Sequence, residues 1–394
     1  MIYLDYAAAT PVDEKVLGAM MPYFREQFFN PSAAYLSAKE VRDDLENARH
    51  QVAQIIGARS AEIIFTAGAT ESINIALGGV DGKIAVSAIE HDAVLSFAKN
   101  NSSLQNSSNL ENQANQFIIP VKSSGLIDLQ NIREDISDDV EILSIGYANN
   151  EIGTIQKLRD ISEIVKEICA DRRNRGINRQ LLLHTDASQA AGFLDLNVAR
   201  LGVDLMTLNA AKCYGPKQVG CLYVRAGVQL NSIFRGGGQE MNLRSGTENV
   251  AGIIGFAKAL QLADKHRFSE VKRLSNLRND LEKFIEKEFP EALINGAKKS
   301  RLPNILNFSL PNLDGERAVF ALDMRGVLVA TGSACAANKN TQSHVLNAIN
   351  LAPEFIDGSL RISLGKPTTN NEIEETKKNL AEVLREQLKF GSQK

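Results

Sequence analysis

A carboxylate and an amine that follow two apolar runs are the residues in this sequence best suited to chemistry. Leucines at 181–183 lead to Asp186, and a second run, beginning at residue 203, leads to Lys212. Such runs are typical of buried parallel strands, whose carboxyl ends bind ligands. The pair suits pyridoxal phosphate (PLP), because a lysine can form its Schiff base while a carboxylate keeps its pyridine nitrogen protonated. A structural ion pair is the alternative.

Length and composition are those of an ordinary globular protein with two domains. The chain has 394 residues, of which 44% are apolar and 23% are charged, and its net charge is −3. This length exceeds what one small core needs. The charge gives no reason to expect nucleic acid or an anionic membrane as a partner. No apolar run approaches the ~20 residues of a membrane span, and the first residues lack a signal-peptide pattern.

The four cysteines show no close metal-ligand spacing and argue against a disulfide framework; they are Cys169, Cys213, Cys221 and Cys335. We therefore expect a cytoplasmic protein without a metal site. Cys213 and Cys221 stand beside apolar strand residues, which indicates inert packing. Cys335 lies among small residues, as an accessible thiolate nucleophile requires, although inert packing is the common role of any single cysteine.

Strand and helix patterns alternate from about residue 38 to residue 225, which predicts an α/β sheet. The expected strands are residues 83–88, 141–147, 181–185, 205–209 and 221–224. Residues 41–56 have the apolar spacing of an amphipathic helix. Two polar stretches, 100–116 and 171–180, are expected to be solvent-exposed insertions.

After about residue 260 the pattern changes to a long amphipathic helix, in which apolar residues recur three and four apart until Pro290. A strand at 305–310 and further helices follow. We therefore predict a large α/β domain over residues 13–258. Residues 1–12 and 259–394 are predicted to form a smaller α+β domain that carries the cysteine loop.

A turn of small residues precedes a helical pattern at Ala69 and Thr70. Such a turn presents backbone N–H groups and the positive end of the helix dipole to a phosphate. Ordinary helix capping gives the same pattern. A glycine-rich loop at 235–248 is either a ligand or subunit contact or a domain linker.

Polar residues stand at the ends of four expected strands. His91 can stack on a planar ring or relay protons there, although a lone histidine is often only a hydrogen-bonded residue. Asn150 and Gln189 occupy comparable places. Polar residues at four strand ends along one sheet edge favour a ligand site. Arg361, on a short apolar segment, could clamp a substrate carboxylate or form a surface salt bridge.

With these motifs in view, the chain resembles the group I cysteine desulfurases, the NifS/IscS-type members of the fold-type I PLP enzymes and class V aminotransferases. The resemblance covers nearly the whole chain. Its motifs are residues 3–11, 30–32, 66–72, 90–91, 149–153, 186–189, 212–217, 236–238, 244–247, 332–335 and 361–365. The resemblance implies a mainly parallel seven-stranded sheet between helices and a smaller α+β domain.

The resemblance also implies a role for each site residue. Lys212 would bind the coenzyme covalently and move the Cα proton of the substrate, Asp186 would pair with the pyridine nitrogen, and His91 would stack on the ring. Further coenzyme contacts are implied for Ala69, Thr70, Asn150, Gln189, Asn209 and, from the second subunit of a homodimer, Thr247. Asn30 and Arg361 would bind L-cysteine. Cys335 would attack the substrate sulfur, which leaves an enzyme persulfide and releases L-alanine.

The implied activity supplies sulfur to an IscU-type scaffold for iron–sulfur cluster assembly, or to another acceptor such as a tRNA-thiolation protein. A selenocysteine lyase, or another PLP lyase or aminotransferase, is an alternative that would not need Cys335. Many family members have Ser-x-His-Lys where this chain has residues 209–212, Asn-Ala-Ala-Lys. One lost hydrogen bond to a charged phosphate costs ~1.5–3 kcal/mol. A sulfur-relay protein that binds PLP weakly is therefore a further alternative.

Overall fold

The computed structural model describes residues 1–100, 116–332 and 342–391. Its largest sheet has seven strands: β2 (Ile63–Thr66), β3 (Lys83–Ser87), β4 (Gln116–Ile119), β5 (Val140–Ser144), β6 (Leu182–Asp186), β7 (Leu205–Asn209) and β8 (Gly220–Val224). The strand order is β2-β8-β7-β6-β5-β3-β4. Only β8 runs antiparallel to its neighbours, β2 and β7. The predicted mainly parallel seven-stranded sheet is confirmed.

The α-helices in the described residues are α1 (Glu14–Met20), α2 (Pro22–Arg25), α3 (Leu36–Ile56), α4 (Ala69–Gly78), α5 (Asp92–Asn100), α6 (Leu129–Asp135), α7 (Leu158–Asn174), α8 (Val198–Leu201), α9 (Val250–Glu288), α10 (Gly315–Asp323), α11 (His344–Ala348), α12 (Pro353–Ile356) and α13 (Asn370–Gly391). Buried side chains on both faces of the seven-stranded sheet form two apolar clusters. Strands covered on both faces read as near-continuous apolar runs, which explains why the sequence located five of them.

The amphipathic helix predicted at 41–56 is α3, which begins five residues earlier. Its buried face includes Val41, Leu45 and Val52, which are spaced four and then seven residues apart, as on one face of a helix. The helix ends at Gly57, whose φ of 70° lies in the left-handed region that glycine adopts without strain.

The two expected insertions have different outcomes. Residues 101–115 lie outside the described part of the chain, and Gln116 begins β4, which pairs in parallel with β3. The prediction that 171–180 is a solvated insertion is wrong at its start, because α7 continues to Asn174. Arg172 is fully buried there. Its guanidinium donates to the carbonyls of Val140 (2.9 Å) and Ser137 (2.7 Å), which replace water as hydrogen-bond partners.

A second group of elements lies around a separate apolar cluster. It contains β1 (Ile2–Tyr3), β9 (Leu293–Ile294), β10 (Ile305–Ser309), β11 (Val327–Leu328) and β12 (Ser359–Ser363). The order β12-β10-β9 forms an antiparallel sheet, and β1 pairs in parallel with β11. The N-terminal strand thus joins elements from the last third of the chain.

Helix α9 connects the two groups, since it is continuous over 39 residues. Phe256 and Leu260 on its first part belong to the core of the large sheet, whereas Leu281 and Ile285 on its last part belong to the second cluster. The exact division into domains at residue 258 stays a prediction. Across the described ranges, no helix is long and apolar enough to cross a membrane.

Candidate functional site

A cavity of about 280 Å³ opens at the carboxyl ends of the parallel strands. Nine residues predicted for the site line it: Ala69, Thr70, His91, Asn150, Asp186, Gln189, Asn209, Lys212 and Arg361. A ligand at this edge of an open α/β sheet is the usual arrangement. Residues from both ends and the middle of the chain therefore meet in one place.

Asp186 ends β6 beside β7, and the two strands pair in parallel with Asp186 opposite Thr207. One carboxylate oxygen of Asp186 accepts a hydrogen bond from the backbone N–H of Ser188 at 2.9 Å. Beneath it, His184 is fully buried between the hydroxyls of Ser144 (2.8 Å) and Thr207 (3.0 Å). Burial lowers the pKa of His184 to about 4, against the opposing effect of the Asp186 charge. A neutral imidazole thus supports the strand end that carries the carboxylate.

Lys212 follows β7 and reaches the N-terminal segment of the chain. Its Nζ donates to the carbonyl oxygens of Ala7 (2.9 Å) and Ala8 (2.6 Å). Gln189 Nε2 donates to the same Ala7 oxygen at 2.9 Å. Because Ala7 and Ala8 also line the cavity, the N-terminal segment forms one of its walls next to the amine.

The first turn of α4 lies at the cavity, where the turn of small residues led us to expect a phosphate. Its N-cap is Gly68, with a φ of 129° and no side chain to satisfy the first N–H groups. Gly220 on β8 must also be glycine, because a Cβ there would lie 2.4 Å from the Leu208 oxygen and 3.0 Å from the Gly68 Cα. This close contact places the N-terminus of α4 at the cavity, where Ala69 and Thr70 lie.

Glu90 and His91 also line the cavity, and their side chains have different environments. His91 is exposed, and its Nδ1 accepts from the Ala93 N–H (3.1 Å) at the start of α5. Glu90 is buried, and its Oε1 accepts from the Ser87 hydroxyl (2.6 Å) and the Gly146 N–H (2.7 Å). Burial raises the pKa of Glu90 to about 7, and the nearby Asp186 charge adds to this rise.

Arg361 enters the cavity from β12 with a nearly buried guanidinium. It pairs with the Asp5 carboxylate at 2.6 Å, and it donates to the Asn150 carbonyl oxygen at 3.1 Å. Its Nε is also buried, and nothing in the described residues accepts a hydrogen bond from that atom. A planar guanidinium held on two sides suits a carboxylate ligand on its remaining edge.

The polar lining fits PLP. Two further buried atoms of cavity residues, Glu90 Oε2 and Ser188 Oγ, have no hydrogen-bond partner in the described ranges. Buried polar groups are normally satisfied, so such atoms indicate a polar ligand. An amine, a carboxylate and an open helix N-terminus around one cavity match the aldehyde, the pyridine nitrogen and the phosphate of this coenzyme.

Three predicted site residues do not line this cavity. Asn30 is exposed, and its side chain accepts from the Ser32 N–H at 2.9 Å. Thr247, predicted to act from a second subunit, is exposed on the single chain. Cys335 lies outside the described residues. The roles of these residues stay predictions.

The other cysteines have the environments expected of packing residues. Cys213 and Cys221 are buried, and burial raises the pKa of both thiols, that of Cys213 to about 12. Neither thiol forms a thiolate readily at neutral pH. Cys169 is half-buried beside the Leu181 backbone.

Sequence reasoning assigned no individual role to Asp5, Glu90 or Ser188. All three lie inside the motifs that carry the family resemblance, and that position is the signal for them in the sequence. Asp5 pairs with Arg361, whereas Glu90 and Ser188 contribute polar atoms without hydrogen-bond partners to the cavity lining. Both features depend on contacts between distant segments. Such contacts are visible only in the folded chain.

Comparison with known proteins agrees with a PLP-binding site in this cavity. The aminotransferase class-V family matches residues 2–376, and the chain belongs to this family. Two similar proteins are "Cysteine desulfurase IscS" of Dictyoglomus turgidum and "Cysteine desulfurase IscS 1" of Archaeoglobus fulgidus. The first is 42% identical over 95% of this chain and 92% of the relative. The second is 40% identical over 98% of this chain and 96% of the relative.

Solved structures agree with the fold. A structure titled "NIFS-LIKE PROTEIN" has a TM-score of 0.87 and 34% identity, with 98% of this chain and 99% of that chain covered. A NifS-like protein from Rickettsia africae has a TM-score of 0.84 and 29% identity, with 97% and 99% covered. These neighbours confirm the predicted fold-type I architecture.

Proposed function

We propose that this protein is a PLP-dependent cysteine desulfurase that acts on L-cysteine and passes the sulfur to an acceptor protein. The observation that carries the proposal is the single cavity shared by Lys212, Asp186, Arg361 and the N-terminus of α4. The full-length similarity to cysteine desulfurases supports the choice among PLP reactions.

When bound, PLP withdraws electron density from the substrate Cα. The residues of the chain supply the rest. The Asp186 carboxylate holds a proton on the pyridine nitrogen, and the α4 N-terminus binds the phosphate. Arg361 fixes the substrate carboxylate through the side of its guanidinium that Asp5 and Asn150 leave open. The Lys212 amine removes the proton from the substrate Cα and later returns a proton to the product.

The thiolate of Cys335 is the sulfur acceptor in this proposal. It attacks the substrate sulfur, so an S–S bond forms while the substrate C–S bond breaks, and the electron pair of that bond stays on carbon and takes up a proton. L-cysteine and the enzyme thiol thus become L-alanine and an enzyme persulfide, with no outside oxidant or reductant. Sulfur is soft and polarisable, which suits this attack.

The persulfide sulfur then passes to an IscU-type scaffold or another acceptor, for iron–sulfur cluster assembly or tRNA thiolation. We further propose that the enzyme is a cytoplasmic homodimer in which Thr247 of one subunit contacts the coenzyme phosphate of the other. Its exposure on the single chain leaves it accessible to such a partner.

The experiment that tests the activity compares two cysteine variants of the purified protein. Cys335→Ala is expected to retain the yellow colour of bound PLP and to lose alanine release from L-cysteine by at least ~10²-fold. Cys169→Ala, which removes the half-buried thiol of α7, is the matched control and is expected to release alanine like the unmodified protein.

Undiminished alanine release by Cys335→Ala would contradict the proposed sulfur transfer and favour another PLP lyase. A colourless unmodified protein that does not take up added PLP would favour the sulfur-relay alternative.

A further inference from the structure

Thr10 belongs to the N-terminal segment, residues 5–13, which forms one wall of the coenzyme cavity, but Thr10 does not itself line that cavity. The residue is nearly buried, with 6% of its surface exposed. Its hydroxyl and its backbone N–H both reach the turn that carries Lys212. This turn is a short 3-10 helix, Ala210–Lys212, that follows β7 directly.

The Thr10 hydroxyl connects the backbone on the two sides of Lys212. It donates to the Ala211 carbonyl oxygen at 3.0 Å and accepts from the Tyr214 N–H at 2.9 Å. The Thr10 N–H also donates to the Ala211 oxygen, at 3.2 Å. One residue of the N-terminal segment therefore fixes the chain both before and after the lysine.

The backbone after Lys212 is strained and needs such support. Tyr214 has a φ of 64°, in the left-handed region that a bulky residue rarely adopts. A strained conformation of this kind persists where surrounding contacts hold it. The N-terminal segment holds both backbone groups of Tyr214, since its N–H donates to Thr10 and its carbonyl oxygen accepts from the Asp13 N–H at 3.0 Å.

The same segment also receives the end of the Lys212 side chain. Nζ donates to the Ala7 and Ala8 carbonyl oxygens, three and two residues before Thr10. Such acceptors favour the protonated amine. The Ala7 N–H is fixed in turn by the Ser363 Oγ at 2.9 Å. The backbone and the amine of Lys212 are thus attached to one segment, and the Thr10 hydroxyl is the side-chain group that joins this segment to the backbone of the turn.

We propose that Thr10 is a positioning residue that holds the Lys212 turn against the N-terminal segment and so sets the direction in which the amine reaches the coenzyme and the substrate Cα. The inference rests on the proposed function, in which Lys212 binds PLP covalently and moves the Cα proton. Orientation of a reacting group is a large part of many rate enhancements, and a small misplacement is costly. Thr10 therefore acts on the rate at which the amine bonds to PLP and on the rate of proton transfer.

The first test follows the uptake of PLP by the coenzyme-free protein, by absorption and by borohydride trapping on Lys212. Thr10→Val removes the hydroxyl at nearly constant shape and is expected to slow covalent uptake about tenfold. Thr10→Ser keeps the hydroxyl and is expected to remain within about threefold of the unmodified protein. The matched control is Thr376→Val, because Thr376 is buried in α13 and its hydroxyl donates to the Glu372 carbonyl oxygen at 2.6 Å.

The second test measures alanine release by the PLP-loaded enzyme from L-cysteine and from L-cysteine deuterated at Cα. Slower proton transfer by Lys212 is expected to lower kcat of Thr10→Val and to raise its isotope effect on kcat, with the KM for L-cysteine within about twofold of the unmodified value. A loss of folded protein would lower kcat without changing the isotope effect, because the remaining folded molecules react normally. Thr376→Val is expected to keep the isotope effect of the unmodified protein.

An uptake rate of Thr10→Val within about twofold of that of Thr376→Val, or an isotope effect equal to that of Thr376→Val, would overturn the proposal. If Thr10→Val does not fold, the smaller Thr10→Ala decides by the same two measurements. An unmodified protein that takes up PLP but releases no alanine would instead overturn the proposed function, and the uptake rates would still decide the role of Thr10.

Discussion

The two halves of the site are built in different ways. The coenzyme half depends on neighbouring elements of one sheet: Asp186 and Lys212 follow adjacent parallel strands, and His184 joins those strands to β5 through Ser144 and Thr207. The substrate half joins distant parts of the chain. Arg361 contacts Asp5 and Asn150, which are 356 and 211 residues away in sequence.

This difference indicates how each half should respond to change. A sheet edge is supported by backbone pairing and by side chains buried on both faces, so its defects should appear as lost stability and lost coenzyme. The substrate half depends on a few polar contacts between segments. Its defects should appear in the kinetics of the substrate while the coenzyme stays bound.

The largest effect that separates the halves is expected from His184. Its folded pKa of about 4 lies below the unfolded value of 6.5, so the folded protein binds fewer protons between these values. The stabilisation from the neutral imidazole is complete above pH 6.5 and is lost as the pH falls towards 4, by on the order of 3 kcal/mol.

Chemical unfolding of the unmodified protein and of His184→Asn at several pH values between 4 and 7 measures this difference. The variant is expected to show a weaker fall in the free energy of unfolding over that range, together with weaker PLP binding. Parallel curves for the two proteins would mean that His184 does not support the coenzyme half in this way.

A smaller effect is expected from Arg361→Lys in the substrate half. Lysine keeps the charge but lacks the planar fork that can hold Asp5, Asn150 and a carboxylate together. We expect the KM for L-cysteine to rise about tenfold, with unchanged coenzyme absorption. Arg200→Lys, which alters only an ion pair with Asp195 at the surface, serves as the control. Loss of colour in Arg361→Lys would show that the halves are not separable.

The sequence located the strands and the helix start around the coenzyme half because their signals are local. Apolar runs ending in polar residues located β6 and β7, and the turn of small residues before Ala69 located the start of α4. In each case the residues that matter stand within a few positions of the element that carries them.

Other features could not be predicted because their causes are not local. The hydrogen-bond partner of Ser343 is 192 residues away, at Glu151. Arg172 lies in a basic stretch that predicted solvent exposure. It is buried because two carbonyl oxygens, one just before β5 and one within it, accept its hydrogen bonds. Strand β4 was missed because a long polar stretch precedes its short apolar sequence.

The central claim is that Lys212 binds the coenzyme in this cavity. The most direct measurement is reduction of the PLP-loaded protein with borohydride, followed by peptide mass spectrometry to locate the trapped coenzyme. The account predicts one coenzyme per chain on Lys212 and none on Lys217, the neighbouring lysine of the same motif. Coenzyme trapped on a different lysine, or a protein that traps none after incubation with PLP, would contradict it.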